Sequence, residues 1–233
     1  MQTYRNDRYI QRRAKIGRYA SLIGMGVLLL GLLVTFFSPA DVALSFLALI
    51  IGFVLSQVGM YYANRFSRAE RPDEFLAKAL KGFDDRYILL QYETPASHVL
   101  ITPNACLVFT VKMQGGVIQY QRGKWKSGSR FRNLFLWLAS DNLGNPLREV
   151  EIELHALSRY LTKQLPEMAV PLQPVILFGN PNAQIDANES PVPAVHAKKL
   201  KDWLRGPGKT GSLDSATHDK IVQLLVPESQ DLA

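Results

Sequence analysis

The sequence predicts a mixed α/β domain preceded by a transmembrane helical hairpin, and three observations carry that prediction. Two long charge-free stretches stand near the start of the chain, at 19–37 and 42–63. Short apolar runs separated by turn residues occupy 87–120, and a helical period takes over after residue 145. The excess of basic residues flanks the charge-free stretches and is missing from the remainder.

The 233 residues are 47% hydrophobic and 20% charged, with a single cysteine. That excludes collagen-like, low-complexity and disulfide-stapled classes, since Cys106 alone closes no intramolecular bridge, and it suits a reducing compartment. The formal charge of +7 divides unevenly: +5 in 1–18, +2 in 64–72, −1 at Asp41 and only +1 in 73–233. A broadly basic nucleic-acid-binding surface on the globular part is therefore not implied.

The basic tail 1–18 leads into the first span. Residues 19–37 and 42–63 contain 19 and 22 residues without a charge. As helices they reach roughly 28 and 33 Å, matching a hydrocarbon core of about 30 Å. A bilayer core offers no water to backbone amides, so the segments must bond internally as helices, with Pro39 in the turn between them. Buried core helices normally keep a polar face, and a signal peptide carries a shorter apolar run with no second span behind it. Nine Lys/Arg flank the outer ends and none lies in the turn. The positive-inside rule then puts both termini in the cytoplasm. Ala48, Gly52 and Ser56 recur every fourth position, with Gly24, Gly26 and Gly31 as candidate partners for close helix approach. Tyr61 and Tyr62 suit an interfacial belt, and the basic tail suits anionic lipid as a partner. With no charge inside either span, the hairpin reads as an anchor and not a transport path.

Behind Arg71-Pro72 an amphipathic helix is expected over 73–81, stopped by Gly82. Strands follow at 87–92, 98–102, 106–113 and 117–120, punctuated by Thr94-Pro95, Pro103-Asn104 and Gly115-Gly116. Asn145 and Pro146 read as N-cap and first residue of a long helix. Its buried stripe is Leu147, Val150, Leu154, Leu157, Leu161 and Leu165, and Glu149, Glu151 and Glu153 at its front suit the macrodipole. The apolar run 175–178 reads as a central strand, and a last helix is expected near 195–204. This order argues for a mixed sheet covered on both sides.

Taken together, Ser97-His98-Val99-Leu100-Ile101, Pro103-Asn104, Val108 to Lys112, Gly115 to Ile118, Trp125, Asn145-Pro146 and Val175 to Phe178 resemble the nuclease-related domain (NERD) family over 73–205. The resemblance implies a restriction-endonuclease-like fold of the PD-(D/E)XK type. It also implies a site in which carboxylates hold Mg²⁺ beside a lysine, the metal activating water and neutralising phosphate charge. In the family pattern an aspartate precedes the second strand and a Glu-x-Lys closes the third. Here Ser97 and Thr110 stand at the acidic positions, and only Lys112 remains, with Glu74 of the first helix matching a further acidic position. The expectation is a vestigial site with no bound metal and weak or absent cleavage. A rescue through Glu93, or through Glu149 where the family tends to carry glutamine, stays open, as does a ligand-orienting role for His98.

Arg122, Lys124, Lys126, Arg130 and Arg132, interleaved with Trp125 and Phe131, form a second candidate site for nucleic acid or anionic lipid; the alternative is a solvated hairpin. Gly206 to Thr210 has the tail of a phosphate-binding loop but follows a helix and lacks the first glycine, so 206–233 reads as linker and tail. Ile221, Val222, Leu224 and Leu225 are expected to form a short docking helix or to stay disordered. Three functions stay open: a membrane-anchored interaction module for nucleic acid or a cytoplasmic protein with a degenerate nuclease-like site, an active Mg²⁺-dependent nuclease with relocated ligands, and a purely structural membrane protein with a soluble interaction domain.

Overall fold

The computed structural model describes residues 1–38, 40–68, 70–127, 143–209 and 213–227. The described residues fall into two compact units, one built from 1–6 and the chain after Pro72, the other from 7–71.

The second of these is a helical hairpin. Helix α1 (Asp7–Phe37) and helix α2 (Val42–Phe66) are both long and apolar enough to cross a membrane. The basic residues from Arg8 to Arg18 thus lie on the opening turns of α1 and not on a loose tail. The buried positions recur every seventh residue: Ile10, Gly17, Gly24 and Gly31 on α1, Ser45, Gly52, Gly59 and Phe66 on α2. Glycine there lets the two backbones touch: a Cβ on Gly24 would stand 2.9 Å from the Ser56 amide nitrogen and 3.1 Å from the Gly52 carbonyl oxygen. Gly31 approaches Ala48 as the sequence suggests, but a Cβ on Gly26 would meet nothing within 4 Å. Gly26 faces outward, and Gly17 and Gly59 take up the contact instead. At the open end of the hairpin Arg13 donates to the Tyr62 hydroxyl at 2.7 Å, its guanidinium lying 5.0 Å from the Tyr9 ring centroid. Phe36, Leu30 and Phe46 remain 73%, 62% and 62% exposed, which argues against core helices of a soluble domain.

The other unit is a mixed sheet with helices on both faces. Its six strands run in the order β1 (Gln2–Arg5), β2 (Ile88–Gln91), β3 (His98–Ile101), β4 (Cys106–Lys112), β7 (Leu172–Phe178) and β9 (Ala194–His196). Strand β3 is antiparallel to both its neighbours, and β1–β2, β4–β7 and β7–β9 are parallel. Strand β1 has no counterpart in the sequence reading: Thr3 pairs with Leu89, and the Asn6 amide bonds the Gln91 carbonyl at 3.0 Å. Sheet residues on either side of the hairpin therefore belong to one sheet, and both ends of the hairpin join the same unit.

Side chains alternate along each strand, so the two sheet faces build separate cores. Leu89, Leu100, Leu107 and Phe109 pack with Leu76 and Leu80 of α3 (Pro72–Leu80) and with Leu200 and Leu204 of α5 (Leu200–Arg205). Leu90, Val99, Ile101 and Val108 pack with Leu157 and Leu161 of α4 (Pro146–Gln164) and with Ile221 and Leu225 of α6 (Ser215–Leu225). A smaller sheet of β6 (Lys124–Ser127), β5 (Gly116–Gln121) and β8 (Ala183–Asp186) closes a third cluster around Ile118, Val150 and Phe178.

One expectation needs correction, and one open alternative is decided. The start of the last predicted helix is strand β9 followed by a 3-10 turn, because Val195 completes the sheet core and the helical axis begins only at Leu200. Of the two alternatives for Ile221 to Leu225, a docking helix or disorder, the structure shows the helix: Leu213 bonds the Asn104 carbonyl at 3.1 Å, and Asp214 caps α6 by accepting from the Thr217 amide at 2.8 Å.

Candidate functional site

Lys112, Thr110 and Ser97 share one face of the sheet. On β4, Cys106, Val108, Thr110 and Lys112 point toward α4, while Leu107 and Phe109 point to the opposite core. The antiparallel pair Val99↔Val108, carried two residues further, sets Ser97 across from Thr110. Ser97, Thr110 and Lys112 thus fall on the side of the sheet that faces α4.

Helix α4 covers them. Asn145 caps it by accepting from the Arg148 amide at 3.2 Å, which places Glu149 in the first turn and Glu153 one turn on, along the same face. Lys112 Nζ donates to Glu149 Oε1 at 2.6 Å. Ser97 Oγ donates to Glu153 Oε1 at 2.8 Å. Lys112 is 8% exposed and Glu149 more open, so the ammonium is drawn out of water and, among the described residues, is held by a single carboxylate. Thr110 Oγ1 is buried, with no hydrogen-bond partner among the described residues. Glu153 was not singled out as a site residue from sequence; its spacing of four from Glu149 was the available signal.

Glu74 does not join Lys112, whose bond goes to Glu149: α3 packs on the opposite sheet face. Its neighbour Asp73 is fully buried at the start of α3, 3.7 Å from the Arg5 guanidinium, with its carbonyl accepting from the Gln91 side chain at 2.8 Å. That contact ties the strand before the hairpin to the helix after it. His98 is buried with its ring edge-on to Tyr92 at 5.1 Å, and Glu93 lies in the turn between β2 and β3.

A divalent cation held by this fold needs several anionic oxygens converging on one point. Among the described residues no three His, Cys, Asp or Glu side chains form such a group. Ser97 and Thr110 are neutral, and the ammonium of Lys112 already sits on the Glu149 oxygen that a metal would take. The residues do not fit Mg²⁺ in this arrangement. Cys106, deep under α4, has its thiol pushed up to about 12 by burial and offers no nucleophile.

The basic hairpin splits into an outer and an inner part. Arg122 and Gly123 make its two-residue turn with φ of 51° and 74°, the left-handed pair such tight hairpins need. Arg122, Lys124 and Lys126 are exposed. Trp125 is not a surface for stacking bases: it turns inward, 5.7 Å from the Phe178 ring and 5.2 Å from Tyr120. Arg130, Phe131 and Arg132 lie outside the described residues.

The chain matches no family model, no curated protein and no solved structure.

Proposed function

We propose that this chain is a two-pass membrane protein with both termini in the cytoplasm, whose α/β domain keeps a restriction-endonuclease-like, NERD-type frame but has lost metal-dependent cleavage and serves as a cytoplasmic interaction module. The frame is supported by the strand order β2-β3-β4-β7 with only β3 reversed, and by helices on both faces. The orientation is supported by basic residues at the outer ends of the hairpin and none in its turn.

The observation that carries the loss of cleavage is the Lys112–Glu149 ion pair. A nuclease of this type uses its lysine beside metal-bound water, with carboxylates free to hold the metal. Here the lysine neutralises one carboxylate and the Ser97 hydroxyl occupies another. The test is hydrolysis of linear DNA and RNA by the full chain in nanodiscs with Mg²⁺ or Mn²⁺, since truncation before residue 73 removes β1. No turnover above background is expected; turnover abolished by Lys112→Ala overturns the proposal.

One observation favours a second reading. Glu149 and Glu153 both reach the strand face on which the family's acids would stand, so the negative charge has moved from strand to helix. If relocated ligands sustain a nuclease, Glu149→Gln and Glu153→Gln each abolish Mn²⁺-dependent cleavage. As an interaction module, the exposed Arg122, Lys124 and Lys126 offer the cationic surface; oligonucleotide affinity that falls steeply with salt distinguishes nucleic acid from a protein partner.

A further inference from the structure

Helix α1 has a second stripe, on the side away from α2. At about 100° per residue, positions two away from the buried glycines lie on the opposite face. Arg8, Arg12, Lys15 and Tyr19 hold that face, continued by Leu22, Gly26, Leu29 and Leu33. The stripe is thus cationic for two turns, aromatic at Tyr19 and apolar for the following four. Arg8, Arg12 and Lys15 are exposed, as is Arg18 beside Lys15, and among the described residues none of the four bonds another side chain. Tyr19 is 61% exposed, Leu22 53% and Leu29 54%, and Gly26 leaves a notch between the two leucines where a Cβ would meet nothing within 4 Å. Arg13, by contrast, is spent on Tyr62 and Tyr9 within the hairpin.

We propose that this outer face of α1 binds an anionic phospholipid, its phosphate on Arg12, Lys15 and Arg18 with Arg8 above, and one acyl chain laid along Leu22, the Gly26 notch and Leu29. The proposal rests on the reading that the hairpin spans a bilayer. A cluster of cations, unpaired among the described residues, directly above an exposed apolar face complements the amphipathic character and charge of such a lipid; a nucleic acid would leave the apolar face uncovered.

The test is native mass spectrometry of the full chain released from nanodiscs of equal phosphatidylcholine and phosphatidylglycerol with identical acyl chains. Retained phosphatidylglycerol is expected to exceed phosphatidylcholine at least tenfold, to fall about fivefold for each of Arg12→Gln and Lys15→Gln, and to reach parity in the Arg8/Arg12/Lys15/Arg18→Gln variant. Gly26→Leu keeps every charge but fills the notch, and is expected to lower retention of both lipids. Arg122→Gln with Lys124→Gln and Lys126→Gln is expected to change nothing. Equal retention by the parent chain, or a preference that survives the fourfold variant or moves with the β5–β6 lysines, overturns the proposal. Alkaline carbonate extraction separates the two layers of inference: a chain released from membranes refutes the bilayer reading itself, whereas a chain retained without lipid preference refutes only the lipid site.

Discussion

The hairpin and the sheet domain solve the same packing problem from opposite directions. In the hairpin the contact surface is made of Gly17, Gly24, Gly31, Gly52 and Gly59, while leucines and phenylalanines face outward. In the domain, Phe109, Leu89, Leu100 and Leu107 fill the interior. Water makes apolar burial favourable in the domain; in a bilayer the surroundings are as apolar as leucine, so close backbone approach is left as the source of attraction. The lesson is that the same side chain is core in one unit and surface in the other.

The comparison is broken most severely at Phe109. Phe109→Ala should cost about 3–5 kcal/mol in urea or guanidinium unfolding of the domain, as expected for a fully buried aromatic. Phe46→Ala, on the exposed side of α2, should cost no more than about 0.5 kcal/mol. Next comes Gly24→Leu, which drives a side chain into the α2 backbone and should cost about 1–3 kcal/mol in detergent unfolding followed by circular dichroism. Gly26→Leu, two residues away but outward, should leave the unfolding midpoint in place. At the site, Glu149→Ala strands a buried ammonium; because Glu149 itself is 42% exposed, the loss should be nearer 1–2 kcal/mol than that of a fully buried pair. Asn145→Ala, removing the cap that positions Glu149, should cost about 1 kcal/mol.

The smallest effect at neutral pH belongs to Cys106. Burial raises its thiol from 9.0 to about 12, so the folded form keeps a proton that the unfolded chain sheds above pH 9. Its contribution is therefore complete below pH 9 and is lost as pH rises toward 12. Cys106→Ala should flatten that part of the stability profile, and maleimide should label Cys106 only in the unfolded chain.

Much of this was legible locally. Asn145-Pro146 announced α4, whose cap and first turn lie where expected, and the charge-free stretches announced α1 and α2. Strand β1 was not legible: Gln2-Thr3-Tyr4-Arg5 is mostly polar, and its strand character comes from pairing with Ile88 to Gln91, beyond the hairpin. The basic cluster was only half legible, since alternation in β6 sends Trp125 inward and leaves Lys124 and Lys126 outside. Glu149 was visible as a candidate, but its partner was not: a helix carries three acids near its front, and only packing against β3 and β4 decides that Glu149 meets Lys112 and Glu153 meets Ser97.

By itself the sequence determined the two apolar helices, most of the strand–helix order of the domain and the neutral side chains at 97 and 110, because these depend on hydropathy, period and side-chain chemistry within short windows. Tertiary structure alone decided that residues on either side of the hairpin share one sheet and that the Lys112 ammonium sits against Glu149. Both are pairings across long stretches of chain, and no local pattern encodes which distant group will be brought within 3 Å of another.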